Sequence, residues 1–300
     1  TRGHVKSSPE MSKKDVTHKA TVPFILSVLN VSEEELRSQG LDAKALAAIY
    51  NDYLSRQHEL ADAASMITEM LRKVEGVHSV TYRVKDPEHL LQKILRKKKE
   101  YPNRTFTPQS YLSLINDLVG VRVLHLYKEA WMETGKYIQQ TWDLKRPPYA
   151  YTKGNESNSQ LSDFTTLGCK VLTHPSGYKA VHFVIETKPG KQLYFAEIQL
   201  RTLFEEGWSE IDHNIRYPDH NNSQLLDCML QLLNKITTQA DELASRMRVC
   251  TNKIRACKEQ GDFSRLAKEL QKLVQELPVQ EEEKKQLYAC LARMTGKANE

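Results

Sequence analysis

Residues 193–217 read LYFAEIQLRTLFEEGWSEIDHNIRY, and the stretch falls into two halves. Leu193–Leu200 alternates like a strand, and from Arg201 onwards the pattern is helical. On the strand, Glu197, Gln199 and Arg201 share one face while Ile198 and Leu200 pack on the other. A carboxylate, an amide and a guanidinium on one side of a buried strand point to a polar cleft; the competing reading is an Arg–Glu network that is only structural. Trp208, Glu210, His213 and Tyr217 follow on the helix, where His213 and Tyr217 stand one turn apart and can address one ligand.

Upstream, Cys169–Thr173 and Ala180–Thr187 read as further strands, punctuated by the turns Ser176-Gly177 and Pro189-Gly190. Arg146–Asp163, rich in Pro, Tyr, Asn and Ser, reads as a loop, residues 128–142 as a helix, and Leu118–Leu126 as an apolar, branched strand. His78–Lys85 alternates with Val80, Tyr82 and Val84 on one face. Asp86-Pro87 starts a helix to about Tyr101, and Thr107-Pro108 starts a shorter one ending near Asn116. A single long helix is expected from Asp42 to Glu75, with its apolar period interrupted at Gln57, and Ser32 with Glu35 forms a capping box. Downstream, Ser223–Gln260, Phe263–Leu277 and Gln280–Met294 read as helices separated at Gly261 and Pro278. The fold class is therefore α+β, a mixed four- or five-stranded sheet flanked by N- and C-terminal helical segments.

Composition narrows the class. Gly and Pro, 12 and 11 in 300 residues, are fewer than a many-turn β protein uses. Mean hydropathy is −0.57, and no apolar run approaches the roughly 18 residues of a spanning helix, so a soluble, cytoplasmic chain is expected. The five cysteines form no CxxC pair, which suits reduced thiols rather than disulfides or zinc. Residues 1–20 read as a loose leader, with Met11 a plausible native start. Net charge is only +5, but basic residues crowd between Arg83 and Arg104, a run that suits a phosphate-bearing ligand or is a solvated helix face.

Two other strings carry chemistry-bearing side chains. Asp117 in DLVGVR (117–122) stands just before a buried strand, where a charge is costly unless paired or metal-bound. GYKAVH (177–182) offers a permissive Gly, the aromatic Tyr178 and the donor His182, or simply a hairpin turn. His182, His213 and His220 have neither Cys partners nor zinc-ligand spacing.

EIQLRTLFEEGWSEIDHNIRYP (197–218) closely resembles the synthetase segment of the RelA/SpoT family. YRVKDPEHLLQKILRKK (82–98), DLVGVR and GYKAVH match its other motifs in order. The resemblance covers roughly Ser79 to Pro218 and implies a nucleotidyltransferase-like domain at 78–220, between helical segments at 21–77 and 221–300. It implies transfer of pyrophosphate from ATP to the 3′-hydroxyl of GDP or GTP. Residue by residue, it assigns the ATP phosphates and adenine to Arg83, Lys85, Lys93 and Arg96, and Mg²⁺ to Asp117 and Glu197. Glu197 is also the base for the acceptor hydroxyl. It assigns stacking on guanine to Tyr178, the rest of the acceptor pocket to His182, Gln199, Arg201, His213 and Tyr217, and bracing to Arg122. The chain departs from the family pattern at His89, Ala180 and Pro218, near the nucleotide pocket. The His-Asp pairs of the family's hydrolase half are not found. Other acceptors (a tRNA 3′ end or an adenine nucleotide) and a non-catalytic oligomerisation module are the alternative readings, and a homo-oligomer is expected from the apolar helical faces.

Overall fold

Alternating apolar residues build a mixed sheet of six strands in the order β1-β2-β6-β5-β3-β4. The strands are β1 (Val77–Val84), β2 (Val119–His125), β3 (Tyr149–Thr152), β4 (Lys170–Thr173), β5 (Ala180–Thr187) and β6 (Tyr194–Thr202). The computed structural model describes residues 19–154, 158–216, 223–260, 263–277 and 279–294. Tyr217 and Gly261, named above, lie outside the described residues.

The β2–β6 pair is parallel, while β1–β2, β5–β6 and β3–β5 are antiparallel. Laddered partners share a face. One face is therefore apolar, with Val119, Val121 and Val123 beside Ala196, Ile198 and Leu200, and Phe183 and Ile185 beyond them, all buried. The other is polar: Arg83, Gly120 and Glu197 lie in one row, and Arg122, Gln199, His182 and Tyr149 in the next.

The expectation of four or five strands is corrected to six. The added strand is β3, inside the stretch read as a loop, and α8 (Asn158–Thr166) begins there too. Four residues after Pro147-Pro148 carry little periodic signal. β3 is held instead by long-range ladders to β5 on one side and β4 on the other. As an edge strand, β1 also leaves Tyr82 46% exposed rather than half-buried with Val80.

The chain forms two units. The first, residues 1–60 and 85–115, contains α1 (Val22–Leu29), α2 (Glu33–Ser38), α3 (Ala43–Ser55), α5 (Pro87–Glu100) and α6 (Tyr111–Leu114). Ser32 and Glu35 form the expected capping box, and Asp86 caps α5 by accepting from the Glu88 and His89 N–H groups. Helix α5 buries Leu90, Leu91 and Ile94, each such burial contributing about 2 kcal/mol. Lys93 and Arg96 stand off that stripe. Within the basic run, Lys98 is no surface charge: it is buried, and its Nζ donates to the carbonyls of Pro102 (2.7 Å) and Arg104 (2.8 Å).

The expected helix Asp42–Glu75 is two helices, α3 and α4 (Gln57–Leu71), separated by the single turn residue Arg56 at φ −98° and ψ −3°. Arg56 Nε donates to Asp52 at 2.8 Å, one turn back.

The second unit, residues 61–84 and 116–300, holds the whole sheet with α7 (Trp131–Thr141), α8, α9 (Leu203–Arg216), α10 (Gln224–Gln260), α11 (Phe263–Gln275) and α12 (Glu281–Met294). Helix α7 lies on the apolar face: Gly135 leaves a Cβ only 3.3 Å from Phe183 and 2.7 Å from Leu167, so a side chain there has no room. Helix α9 serves the polar face, and its Trp208 Nε1 donates to the Leu230 carbonyl of α10 at 2.9 Å. Leu266 and Leu270 of α11 pack with Cys250, Ile254 and Leu291. Among the described residues, no helix is long and apolar enough to cross a membrane, and Cys169, Cys228, Cys250 and Cys290 are free thiols.

Candidate active site

The polar face of the sheet closes five side chains into a ring. Gln199 Nε2 donates to Glu197 Oε1 at 2.7 Å, and Arg201 donates to Gln199 Oε1 at 2.7 Å. The same Arg201 nitrogen donates to the Tyr178 hydroxyl, which lies 2.8 Å from His182 Nε2. His182 Nδ1 then faces Glu197 Oε1 at 3.6 Å and completes the circuit. The Tyr178 hydroxyl, which accepts from Arg201, still has a proton to give and a lone pair to offer, so it can meet either tautomer of His182.

Each member is placed by an element already described. Glu197, Gln199 and Arg201 alternate on β6, His182 sits beside Gln199 on β5, and Tyr178 follows Gly177, whose φ of +77° only Gly adopts without strain. Burial pushes the Tyr178 hydroxyl up to about 12, with Glu197 and Glu206 adding to it and Arg201 opposing, so the phenol remains a donor at neutral pH. Its ring lies 4.7 Å from the Arg201 guanidinium, 5.3 Å from His174 and 5.8 Å from Tyr151.

Three residues that the sequence reading passed over belong here. Glu206 on α9 bridges two arginines, accepting from Arg201 at 2.6 Å and from Arg122 at 2.8 Å. Glu210 also pairs with Arg122; although burial disfavours the guanidinium's charge, these carboxylates hold its pKa above the usual range. Tyr151 on β3 packs its ring 4.8 Å from His182. His174 joins Tyr151 and Tyr178, with its Nδ1 2.9 Å from Ser176 Oγ. The available signals were slight: a four-residue Tyr-Ala-Tyr-Thr alternation for Tyr151, and for Glu206 the stripe it shares with Glu210 and His213 on α9.

The remaining predicted residues are distributed as follows. Arg83 lies across Gly120, where an added Cβ would sit 3.6 Å from its Cγ and Nε, and Gly120 is the ladder neighbour of Glu197. Asp117 precedes β2 and is partly buried; the ladder puts Gly120, three residues later, beside Glu197. His213 is exposed on α9. Lys85, Lys93 and Arg96 belong to the first unit.

Carboxylates and phosphates are the oxygen ligands that Mg²⁺ takes, usually one or two protein carboxylates with substrate and water. Asp117 and Glu197 supply that chemistry. Among the described residues no three His, Cys, Asp or Glu side chains converge as a metal cage.

The region found in RelA/SpoT proteins matches residues 82–222, which include all five ring members. That stretch, just under half of the chain, is a RelA/SpoT region. Among similar proteins, GTP pyrophosphokinase YwaC of Bacillus subtilis is 24% identical over 172 residues, 54% of this chain and 71% of the relative. GTP pyrophosphokinase YjbM of the same organism is 25% identical over 190 residues, 59% and 77%. Similar solved structures include a GTP pyrophosphokinase family protein from Streptococcus pneumoniae (22% identity, 63% of this chain and 89% of that one, TM-score 0.46). Another is the small alarmone synthetase 1 of Bacillus subtilis (19%, 63% and 92%, TM-score 0.45).

Proposed function

We propose that this chain transfers pyrophosphate from ATP to the 3′-hydroxyl of GTP or GDP, making pppGpp or ppGpp and releasing AMP. The observation that carries this reading is the match over residues 82–222, within which Glu197 is oriented by Gln199 and Arg201 on one polar face.

In the proposed reaction the acceptor 3′-oxygen bonds to the β-phosphorus of ATP. The bridging Pα–O–Pβ bond breaks with its electron pair going to AMP, and the hydroxyl proton passes to Glu197. Charge builds on phosphate oxygens, so catalysis is mainly positioning and electrostatic stabilisation. Arg83, in the Glu197 row, is assigned to the donor phosphates. Lys85, Lys93 and Arg96 enter through the family resemblance alone. Tyr178 and His182, with Gln199 and Arg201, line the acceptor side, and His213 and Tyr217 are assigned to it as well. Asp117 and Glu197 would hold Mg²⁺, which neutralises phosphate charge when bound.

The reading extends to a homo-oligomer formed through α10. Leu225, Met229, Leu232 and Ile236 recur at intervals of four, three and four residues, the seam spacing of paired helices, and are 69%, 58%, 58% and 52% exposed. Light scattering that returns 34.5 kDa at every concentration would remove this part.

The deciding experiment incubates the protein with Mg²⁺ and γ-labelled ATP, alone or with GDP, GTP or bulk tRNA. Label in guanosine tetra- or pentaphosphate, lost in Glu197→Gln with the fold intact, is expected. Full activity of Glu197→Gln would refute the assigned base, and label confined to tRNA or an adenosine product would refute the acceptor.

A further inference from the structure

Tyr178 sits in the turn between β4 and β5, and the residues on either side of it are both tied to α10. Asn234 Nδ2 donates to the Gly177 carbonyl at 3.0 Å. One helical turn further on, Thr238 Oγ1 accepts from Lys179 Nζ at 2.9 Å. Positions 230, 234, 238 and 241 lie on one face of α10. The outer two fasten that face to the rest of the unit: the Leu230 carbonyl accepts from Trp208 of α9 at 2.9 Å, and Asp241 accepts from the Thr202 hydroxyl, at the end of β6, at 2.8 Å.

The two middle tethers are not what a plain packing face would use. Asn234 is 4% exposed, and its buried Oδ1 has no hydrogen-bond partner among the described residues. A half-satisfied amide on a buried helix face costs stability, and Leu at that position would remove the cost and suit the helix better. What the amide supplies and Leu does not is a donor aimed at the carbonyl that precedes Tyr178. Thr238 is oriented for the same turn: its hydroxyl donates to the Asn234 carbonyl at 2.7 Å, which leaves a lone pair for Lys179.

A glycine turn is a loose point of the chain unless it is tied down, and Gly177 stands at a φ of +77°. About 10 Å³ of open space remains among Gly177, Lys179, Asn234 and Thr238, about the room of one water, so the turn has little freedom while α10 is in place. With both neighbours fixed, the Tyr178 backbone is held from either side and its hydroxyl is kept against Arg201 and His182.

We propose that Asn234 and Thr238 are positioning residues for the acceptor nucleotide: from α10 they lock the turn 177–179 and so fix where Tyr178 presents its ring. Both lie beyond the matched residues 82–222. The inference rests on the reading of Tyr178 as the acceptor contact.

The test compares Asn234→Leu, Thr238→Val and Thr238→Ser with the wild type, and Gln239→Ala, exposed on α10, is the control that should change nothing. Hydrogen exchange followed by mass spectrometry, without nucleotide, reads the turn itself. Residues 174–179 are expected to exchange about tenfold faster in Asn234→Leu and about threefold faster in Thr238→Val, with β6 unchanged. Transfer of label from γ-labelled ATP reads the consequence: KM for GTP rises by about the same factors while KM for ATP stays within about twofold. Thr238→Ser keeps the hydroxyl and is expected to match the wild type in both assays. Asn234→Leu is expected to unfold at or above the wild-type Tm, which separates lost positioning from lost stability. Wild-type exchange in both Asn234→Leu and Thr238→Val overturns the brace. Thr238→Ser as impaired as Thr238→Val assigns the effect to packing and overturns it too. Faster exchange with an unchanged KM for GTP overturns the role in acceptor binding. A wild type that transfers no label to GTP or GDP, with faster exchange in the variants, overturns the acceptor reading of Tyr178 while upholding the brace.

Discussion

Glu206→Gln isolates the carboxylate that anchors the polar-face ring from outside. The Glu206 side chain is 15% exposed and meets two guanidinium groups, those of Arg201 at 4% and Arg122 at 32% exposure. Removing one partner of a buried pair costs about 3–5 kcal/mol, because the other charge is left desolvated. The amide keeps one acceptor oxygen, and Arg201 retains Gln199 and Tyr178 as neutral partners. The contact to the more exposed Arg122, which keeps Glu210, is worth about 1 kcal/mol or less. The net expectation is a loss of about 2–3 kcal/mol, or roughly 5–10 °C in Tm for a unit of this size. Arg201 also sets Gln199, and Gln199 sets Glu197, so loosening the anchor should lower kcat on the order of 100-fold. Urea unfolding followed by circular dichroism gives the first quantity, and transfer of label from γ-labelled ATP to GTP gives the second. Glu282→Gln, whose side chain is 71% exposed on α12, is the control that should change neither. Stability within about 0.5 kcal/mol of wild type together with unchanged kcat would refute the reasoning.

Burial and the neighbouring Glu205 push the Asp241 carboxyl up to about 7, although Thr202, Lys128 and Lys179 oppose the shift. Between about pH 4 and 7 the folded state then holds a proton that the unfolded state has released, so stability falls as pH rises through that window. Asp241→Asn should remove this fall, and parallel profiles for variant and wild type at pH 5 and 8 would show the assignment to be wrong. Burial lowers His125 to about 4, with the opposite consequence: its contribution is lost as pH drops from about 6.5 toward 4, and His125→Gln should flatten that acid limb in the same measurement. Gly177→Ala places a Cβ 2.9 Å from Lys153 Cε at a φ of +77°, so a cost of about 1–2 kcal/mol and impaired transfer to GTP are expected; wild-type behaviour in both assays would count against the turn as the positioner of Tyr178.

The parts legible in the sequence are those whose physics is local. In β6 the shared face of Glu197, Gln199 and Arg201 follows from period two, although the strand runs on to Thr202 rather than ending at Leu200; β5, buried almost throughout, is legible as an apolar run between turns. The Asp86-Pro87 cap and the breaks among the C-terminal helices are chemical signals within a few residues. β3 is different: its four residues owe their conformation to ladders with residues some twenty to thirty positions away, which no local window contains. Missing β3 also concealed Tyr151. Glu206 was hidden for another reason. Two adjacent glutamates in the first turn of a helix look like charges that favour its N-terminus, and only the fold brings Arg122 and Arg201 beneath one of them.

The ring on the polar face explains how so much ionisable material can be held without collapse. Arg201 is nearly inaccessible, and an isolated guanidinium there would be prohibitive. Glu206 neutralises it through one terminal nitrogen, while Gln199 and Tyr178 both accept from the other. Those neutral partners then pass the constraint on to Glu197 and His182, the two groups that face each other across the circuit. A polar network of this kind rigidifies its members when their contacts are made together, and loses its advantage when one member is removed. The stability of the sheet and the orientation of Glu197 therefore rest on the same contacts, so substitutions in the ring should affect folding and transfer together rather than separately.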